Sequence, residues 1–389
     1  MGILNLAANS LAPQRGSISQ KFVLMLFVSV VAFTAVIAGF VALADPYGVS
    51  PIKVARSGLN STKLKRLNID RQLKPYEVLR YQPDTVFIGT SRVNQSLDPA
   101  ILDGARFGLS YNAAIPASTL SENEASLRLF FRLAPGIKNV LMEVFFYNFT
   151  RDQSPTPEFA ISQVAADAVA LQFSFQALRQ AIETVQYNRI TDAIPAHMEP
   201  RGYWVPDSWS KPGEIFQLQP FVTSIIAAER SHPLQGLKQS AEVRLDQIVA
   251  LAKAHDVNLT LLVLPSHAWD DYRLLSLGHW GKLEDYYRLL ARYQNVVSFT
   301  QPNEVTQEPA RIGMRWWYDP VHPSLDMGRM ALRALNGDLS GAPRNFMARI
   351  TPEAVDQLLA KRKAAAKQWA VENPEFVEQF EAEKARVLH

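Results

Sequence analysis

The feature that most constrains the fold is an alternation of short apolar runs with helical segments that begins near residue 84. Asp84–Gly89, Asn139–Phe146 and Val257–Leu264 are apolar runs of strand length. Between them apolar residues recur at helical spacing, as in Thr119–Leu133, which starts on a Thr-x-x-Glu capping box. Strands that alternate with helices predict a parallel sheet covered on both faces. We therefore expect the α/β class, as a three-layer α/β/α sandwich.

The same pattern predicts a ligand-binding rim at one edge of this sheet. Further strands are expected at Phe107–Asn112 and Asn295–Phe299, and further helices at Gly236–His255, Asp285–Tyr293 and Leu325–Leu335. In open parallel sheets, ligands bind beyond the carboxyl ends of the strands. The polar positions that follow predicted strands, and that we expect at this rim, are Ser91, Asn112, Asn148 and His267.

An apolar segment near the amino terminus lies outside that pattern. Phe22–Ala44 is 23 residues without a charge. As a helix it would extend about 34 Å, enough to cross a bilayer core. A cleaved signal peptide is the alternative, since Ala42-Leu43-Ala44 fits a small-residue cleavage site. The apolar run exceeds the roughly 7–15 residues usual in signal peptides, so we expect an uncleaved transmembrane helix.

The chain divides into five segments. We expect a cytoplasmic tail (1–21), a transmembrane anchor (22–44), a connector (45–80), the α/β domain (81–340) and a C-terminal helical tail (341–389). Residues 150–235 break the strand–helix rhythm and are interpreted as an insertion that forms a lid or a substrate wall. The charged C-terminal tail is expected to be either solvated or docked on the domain.

Composition narrows the chemistry. The chain has no cysteine, which excludes a thiol nucleophile, a Cys-ligated metal and a disulfide. Its 40 basic and 37 acidic residues give a net charge of +3, too even to indicate nucleic-acid binding. His255, His267 and His279 recur every 12 residues, which matches no zinc-ligand spacing. We expect neither a metal nor a cofactor.

Three polar residues in two distant segments carry the chemistry that we expect. Ser91 follows the first strand, and Asp319 and His322 stand three residues apart just before the last core helix. A serine hydroxyl becomes a nucleophile when a base takes its proton, and an acidic side chain can orient a histidine to be that base. Either segment alone is commonly structural. Together they predict Ser91 as nucleophile, His322 as base and Asp319 as the residue that orients the imidazole.

The runs around these residues resemble the SGNH (GDSL-type) hydrolases. Gly89-Thr-Ser91 is similar to the first block of that family, with Thr in place of the usual Asp, and Asp319-Pro-Val-His322 resembles its last block. Val86-Phe-Ile-Gly-Thr-Ser-Arg-Val, Tyr111-Asn-Ala-Ala-Ile-Pro-Ala-Ser and Trp316-Trp-Tyr-Asp-Pro-Val-His resemble membrane-anchored members that act in cell-envelope acylation. Those include the D-alanine transfer protein of teichoic acids and the proteins of exopolysaccharide O-acetylation. The resemblance covers about residues 80–340 and implies the flavodoxin-like SGNH hydrolase fold.

The resemblance also implies an oxyanion hole. The family builds it from the serine N–H, the N–H of a second-block Gly and a third-block Asn side chain. Ser91 supplies the first, and Ala114 or Ala117 stands where the family commonly has Gly. Glu143–Phe146 occupies the expected place of the third block, and Asn148 is the nearest amide. We expect Ser91, Ala114 and Asn148 to form the hole, since an Ala N–H can serve if its dihedral angles allow.

A location and a partner follow from the resemblance as well. It places residues 45–389 in the periplasm or outside, on a single-pass anchor in a bacterial inner membrane. Basic residues lie on both sides of the apolar segment, and long domains translocate largely regardless of charge. The implied partner is a membrane-bound O-acyltransferase that delivers acyl groups, and the implied substrate is a polysaccharide or other glycan.

Three further side chains are expected to contact substrate, each with a structural alternative. Arg92 would bind an anionic sugar or phosphate, or it forms a surface salt bridge. His267 would contact substrate from the rim, or it has a structural role. Trp317 would offer a flat face to a sugar, or it anchors the core.

Two functions from different classes fit these features. The first is a serine acyl-ester transferase or esterase that acts on O-acyl groups of cell-envelope or exopolysaccharide glycans. The second is a non-catalytic SGNH-like scaffold of a polysaccharide assembly or acylation complex, which the missing second-block Gly and the irregular third block favour. A chance match of short motifs is the remaining alternative.

Overall fold

The computed structural model describes residues 15–388, apart from 51–54, 64–68, 105, 155–160, 191–196, 206–217, 310–312 and 320. The strands are β1 (Thr85–Ile88), β2 (Ser110–Asn112), β3 (Asn139–Glu143), β4 (His197–Met198), β5 (Trp204–Val205), β6 (Asn258–Val263), β7 (Val296–Ser298) and β8 (Ala348–Arg349). The helices are α1 (Arg15–Ala44), α2 (Asp70–Tyr81), α3 (Ser91–Ser96), α4 (Leu120–Leu133), α5 (Phe146–Phe149), α6 (Ile161–Phe173), α7 (Phe175–Ile190), α8 (Leu218–Ser231), α9 (Gln239–Ala254), α10 (Ala268–Ser276), α11 (Trp280–Leu290), α12 (Leu325–Leu335), α13 (Val355–Glu372) and α14 (Pro374–Leu388). Most of the expected cytoplasmic tail, and parts of the connector and the insertion, lie outside the described residues.

Six strands form one sheet in the order β2-β1-β3-β6-β7-β8. The first five are parallel, and β8 pairs antiparallel with β7 at the edge. Counted along this sheet, the parallel strands have the order 2-1-3-4-5, which is that of flavodoxin-like doubly wound sheets. Because β2 and β3 lie on opposite sides of β1, the loops after β1 and β3 open a crevice at the carboxyl ends. The predicted α/β class with a mostly parallel sheet is confirmed. This strand order is not specific to SGNH hydrolases, and that assignment stays a prediction.

Alternate side chains of the strands enter two apolar cores, one on each face of the sheet. Val86 and Ile88 of β1 pack into a core with α4, α9 and α11. Phe87 of β1 and Leu141 of β3 pack into the other core, with α3, α10, α12 and α14. Because successive side chains of a strand point to opposite faces, a strand that is covered on both faces is apolar at nearly every position.

Capping side chains fix several helix starts where the sequence predicts them. The Thr119 hydroxyl accepts from the Glu122 N–H at 3.1 Å at the start of α4. Ser324 caps α12 in the same way through the Met327 N–H. These oxygens satisfy N–H groups that have no partner within the helix. The predicted bounds of α12, Leu325–Leu335, are confirmed.

Other element boundaries differ from the prediction. β3 ends at Glu143 and not at Phe146, because the chain turns there into α5. An apolar run does not show where a buried strand ends and a buried helix begins. α2 (Asp70–Tyr81) includes the last residues of the expected connector (45–80) and buries Leu73 and Val78. α10 and β8 are short elements that the sequence pattern did not indicate.

α1 combines an exposed apolar part with a buried end. Its Ser19–Ala44 part contains an 18-residue window with a mean hydropathy of 2.6 and is long and apolar enough to cross a membrane. The described side chains of Phe22–Val28 are exposed, whereas Val41 and Ala44 are buried against α6 and α7. Length and composition alone do not distinguish a membrane span from a signal sequence.

The C-terminal tail is docked on the domain. α13 packs against α10, and α14 packs against α8. Trp369, Phe376 and Phe380 are buried in these contacts. Arg362 of α13 forms a buried ion pair with Asp271 of α10. Of the two alternatives for this tail, docking is the one found.

Candidate active site

Ser91 is the first residue of α3, directly beyond the carboxyl end of β1. Gly89 makes the turn possible, since a Cβ there would lie 2.8 Å from the Glu143 Cβ. Thr90 is the N-cap, and its hydroxyl accepts from the Arg92 N–H at 3.3 Å. The turn places Ser91 at the rim of the sheet, with its N–H among the first of the helix, which have no partner within it.

The structure brings the three predicted triad residues together. The Ser91 Oγ and the His322 Nε2 are 2.8 Å apart, and the His322 Nδ1 and the Asp319 Oδ2 are 2.7 Å apart. The Asp319 Oδ1 accepts from the backbone N–H groups of Val321 and His322 at 2.8 and 2.9 Å. One carboxylate therefore holds both the imidazole ring and the loop that carries it.

Hydrogen bonding keeps Asp319 ionised. Burial opposes the charged carboxylate, but the hydrogen bonds from the His322 side chain and from two backbone N–H groups outweigh it and lower the pKa of Asp319. An ionised Asp319 favours the tautomer of His322 with its proton on Nδ1. The Nε2 lone pair is then free to accept the hydroxyl proton of Ser91.

A buried ion pair lies beneath the serine. Glu143, at the end of β3, accepts from the Thr90 N–H at 3.0 Å, from the Thr90 hydroxyl at 2.7 Å and from the Arg92 Nη1 at 3.1 Å. The Arg92 Nε donates to the Val321 carbonyl at 3.1 Å, and its Nη2 donates to the Pro265 carbonyl. The pair thus joins the β1 turn, the end of β3 and the loop of His322. We call this group the serine corner: Thr90, Ser91, Arg92, Glu143, Asp319 and His322.

The structure shows which partners hold the three predicted substrate contacts, and their role in binding stays a prediction. Arg92 is buried and bonded to Glu143 and two carbonyls, so its charge is paired within the protein. His267 is fully buried: its Nδ1 accepts from the Trp269 N–H, and its Nε2 bonds a backbone carbonyl. Trp317 is fully buried, and its indole N–H donates to a backbone carbonyl. All three side chains have partners within the protein, and Arg92 and His267 also line the cavity beside Ser91.

A cavity of about 410 Å³ opens beside the serine corner, within the range of about 300–1,000 Å³ of small-molecule sites. Arg151 and Ile225, which line it, belong to the expected insertion, so that segment contributes to the wall. Among the described residues, no group of three or more His, Asp or Glu side chains could hold a metal ion. Six of the residues that line the cavity lie outside the serine corner and are called the cavity wall below: Ala117, Phe145, Tyr147, Asn148, Arg151 and Ile225.

Ala117, and not Ala114, is the candidate backbone donor of an oxyanion hole. Ala114 is fully buried, and its N–H donates to the Asn112 Oδ1 at 3.1 Å. Asn112 is itself fully buried, so it does not lie at the rim as expected. Ala117 lines the cavity with a φ of 58°. Glycine is the ordinary residue in that left-handed region.

Asn148 also lines the cavity, as expected. Its Nδ2 donates to the Ser118 carbonyl at 3.1 Å, and an amide nitrogen carries two hydrogens. The second hydrogen is available to a bound oxygen. The N–H groups of Ser91 and Ala117 and the Asn148 amide are therefore the candidate oxyanion donors.

The sequence interpretation missed the role of Glu143. Its carboxylate is the only charge in the apolar run Asn139–Phe146. A single charge at the end of a buried strand has to find a partner, because an unpaired buried charge is costly. That signal could have identified Glu143 as part of the site, although not Arg92 as its partner.

Comparison with known proteins gives little. No family model matches this chain, and no curated protein matches it significantly. Among solved structures, it is similar to one described as "a putative platelet activating factor from Streptococcus pneumonia". The identity is 12%, the match covers 71% of this chain and 95% of that chain, and the TM-score is 0.30. A similarity at this level carries no argument, so functional conclusions have to come from the site.

Proposed function

We propose that this protein is a serine acyl-ester transferase or esterase that acts on O-acyl groups of cell-envelope or exopolysaccharide glycans. The observation that carries the proposal is the hydrogen-bonded series Ser91–His322–Asp319, with separations of 2.8 and 2.7 Å. Its position after the first strand of a doubly wound sheet supports an SGNH-like three-layer fold. The adjoining cavity provides room for an acyl group and part of a glycan.

The first half of the reaction forms an acyl-enzyme. The Ser91 Oγ attacks the ester carbonyl while the His322 Nε2 takes the hydroxyl proton. A carbon–oxygen bond forms, and the carbonyl oxygen becomes an oxyanion that the Ser91 N–H, the Ala117 N–H and the Asn148 amide would stabilise. The intermediate then expels the alcohol of the donor ester, which leaves with the proton from His322.

The second half transfers the acyl group. A glycan hydroxyl, or water, gives its proton to His322 and attacks the acyl carbon of the Ser91 ester. The acyl–Ser91 bond breaks, and His322 returns the proton to the Ser91 Oγ. The balance between glycan and water decides whether the protein is a transferase or an esterase.

The location belongs to the same proposal. We place the α/β domain outside the cytoplasm of a bacterial inner membrane, on α1 as an uncleaved single-pass anchor. Val41 and Ala44 of α1 are core residues of the domain, so cleavage after Ala44 would remove packing from a folded core. A membrane-bound O-acyltransferase is the proposed source of acyl groups.

The partition of acetyl groups between a polysaccharide and water tests this function. The purified full-length chain would be given 4-nitrophenyl acetate, with and without a chemically de-O-acetylated bacterial exopolysaccharide. We expect 4-nitrophenolate release that requires Ser91, with acetyl groups on the polysaccharide detected by mass spectrometry. Ser91→Ala is the matched control. If all acetyl groups appear as free acetate even at saturating polysaccharide, the protein is an esterase and the transferase function is rejected.

A further inference from the structure

A second exposed feature lies away from the serine corner, on the helical hairpin α6–α7. The two helices pack against each other and are joined at Ser174. Phe173 and Phe175 at the tip are 64% and 84% exposed, and Val169 is 58% exposed. Ala166, Val169, Ala170 and Phe173 are exposed at helical spacing, so they form one stripe along α6. We call these four residues and Phe175 the hairpin patch.

Soluble proteins rarely leave such a continuous apolar patch in water. The position of the hairpin indicates what covers it. Val164, near the start of α6, belongs to the core of the α/β domain. Asn188, near the end of α7, bonds to Ser61 and Thr62. The start of the hairpin is therefore held by the domain, and its end is held by the connector.

α1 packs against both helices of the hairpin. Leu171 and Ala177, which flank the tip, share a buried cluster with Val41 and Ala44 of α1. Ile37 packs against the same cluster, and the small side chain of Ala177 allows two helices to approach closely. The hairpin patch is thus level with the outer part of the apolar segment that would span a membrane.

The hairpin patch adjoins exposed apolar side chains of α1. Phe33 and Val36 of α1 are 68% and 70% exposed, and Ile37, which follows directly, packs against the cluster shared with the hairpin. If α1 crosses a bilayer, packing against α1 leaves the tip of the hairpin at the same depth as residues 37–44. Aromatic and aliphatic side chains at that depth are stabilised by lipid, as in helices that lie in a membrane interface.

We propose that the hairpin patch inserts into the outer leaflet beside α1 and gives the domain a second contact with the bilayer. The proposal rests on α1 as a retained anchor and not on the chemistry proposed for Ser91. One helix alone is a tether about which a domain can rotate and tilt. Insertion of the tip of α6 and α7 into the membrane interface would fix the tilt of the domain and the distance of the cavity from the membrane.

Depth-dependent quenching tests this proposal, and the chain suits it because it has no cysteine. Three single-cysteine variants, Phe175→Cys, Val36→Cys and Ile190→Cys, would carry an environment-sensitive fluorophore. The full-length chain would be reconstituted in vesicles of phosphatidylcholine and phosphatidylglycerol. All three native side chains are highly exposed, so the label replaces no core contact. Iodide quenches from water, and nitroxide-labelled lipid quenches from the bilayer.

We expect the label at 175 to behave like the label at 36, shielded from iodide and quenched by nitroxide lipid. The label at 190, at the far end of α7, should be several-fold more open to iodide. Equal iodide quenching at 175 and 190 would overturn the proposal. So would shielding at 175 that appears in native membranes but not in the pure lipid vesicles, because a protein partner would then cover the patch.

Discussion

The serine corner and the cavity wall differ in how firmly their side chains are held. In the corner, Arg92 and Glu143 are buried, and together they bond to the β1 turn and to the loop of His322. In the wall, Arg151 is exposed, and Ala117 holds a left-handed conformation without a glycine. The groups proposed to make and break bonds are thus fixed by the sheet. The groups that would select acyl group and acceptor lie on loops, on the short helix α5 and on the insertion, and loops and insertions tolerate sequence changes without unfolding the protein.

The largest effect is expected within the corner, on catalysis. Asp319→Asn keeps the shape of the side chain but removes the charge that orients His322. We expect kcat for 4-nitrophenyl acetate to fall about 10³–10⁴-fold with little change in thermal stability. A fall of less than about ten-fold with an intact fold would mean that the Asp319–His322 contact is structural.

The next effect is on stability and contrasts the two regions directly. Arg92→Met leaves Glu143 as a buried charge without its partner, so the free energy of unfolding should fall by about 3–5 kcal/mol. Arg151→Met is the matched control in the wall, where the same exchange should change it by less than about 0.5 kcal/mol. Urea unfolding measures both. Similar losses in the two variants would remove the distinction between a fixed corner and a tolerant wall.

In the wall, Asn148 should affect rate more than stability. Asn148→Ala removes the candidate oxyanion amide and its bond to the Ser118 carbonyl. We expect kcat to fall about 10²–10³-fold, whereas the free energy of unfolding should fall by only about 1 kcal/mol. Steady-state kinetics and urea unfolding of the same variant separate the two. An unchanged kcat would exclude Asn148 from the oxyanion hole.

The last effect concerns the pH dependence of stability. Burial lowers the pKa of His267 to about 4, below the value of about 6.5 in an unfolded chain. The unfolded state therefore binds more protons between these values, so this stabilisation is complete above about pH 6.5 and is lost as pH falls toward 4. The loss should be about 3 kcal/mol across that window. His267→Asn can still cap α10, and it should make the free energy of unfolding depend less on pH between about 4 and 6.5. If the curves of the variant and the native protein run parallel, His267 is not the cause of the pH dependence.

The sequence predicted what depends on local pattern and missed what depends on distant partners. Apolar runs identified β1, β3, β6 and β7, and a capping box identified α4. The Ser91, Asp319 and His322 motifs were recognisable because each is short and local. By contrast, the pairing of Arg92 with Glu143 joins residues on separate elements, and no local pattern encodes it.

The burial of side chains and the backbone dihedral angles could not be predicted from the sequence either. Trp317 and His267 stand in the sequence beside rim residues, yet the docked tail and the core enclose them, and His267 packs edge-on against Trp317. The choice between Ala114 and Ala117 depends on a φ angle and a single hydrogen bond. Neither is visible in a run of small residues.

Labelling with a fluorophosphonate is the most direct test of whether the hydroxyl of Ser91 is activated. We expect the intact protein to gain one probe, mapped by peptide mass spectrometry to the peptide that contains Ser91, with no labelling of Ser91→Ala. Labelling of neither protein, with both folded, would contradict an activated serine and favour the non-catalytic scaffold.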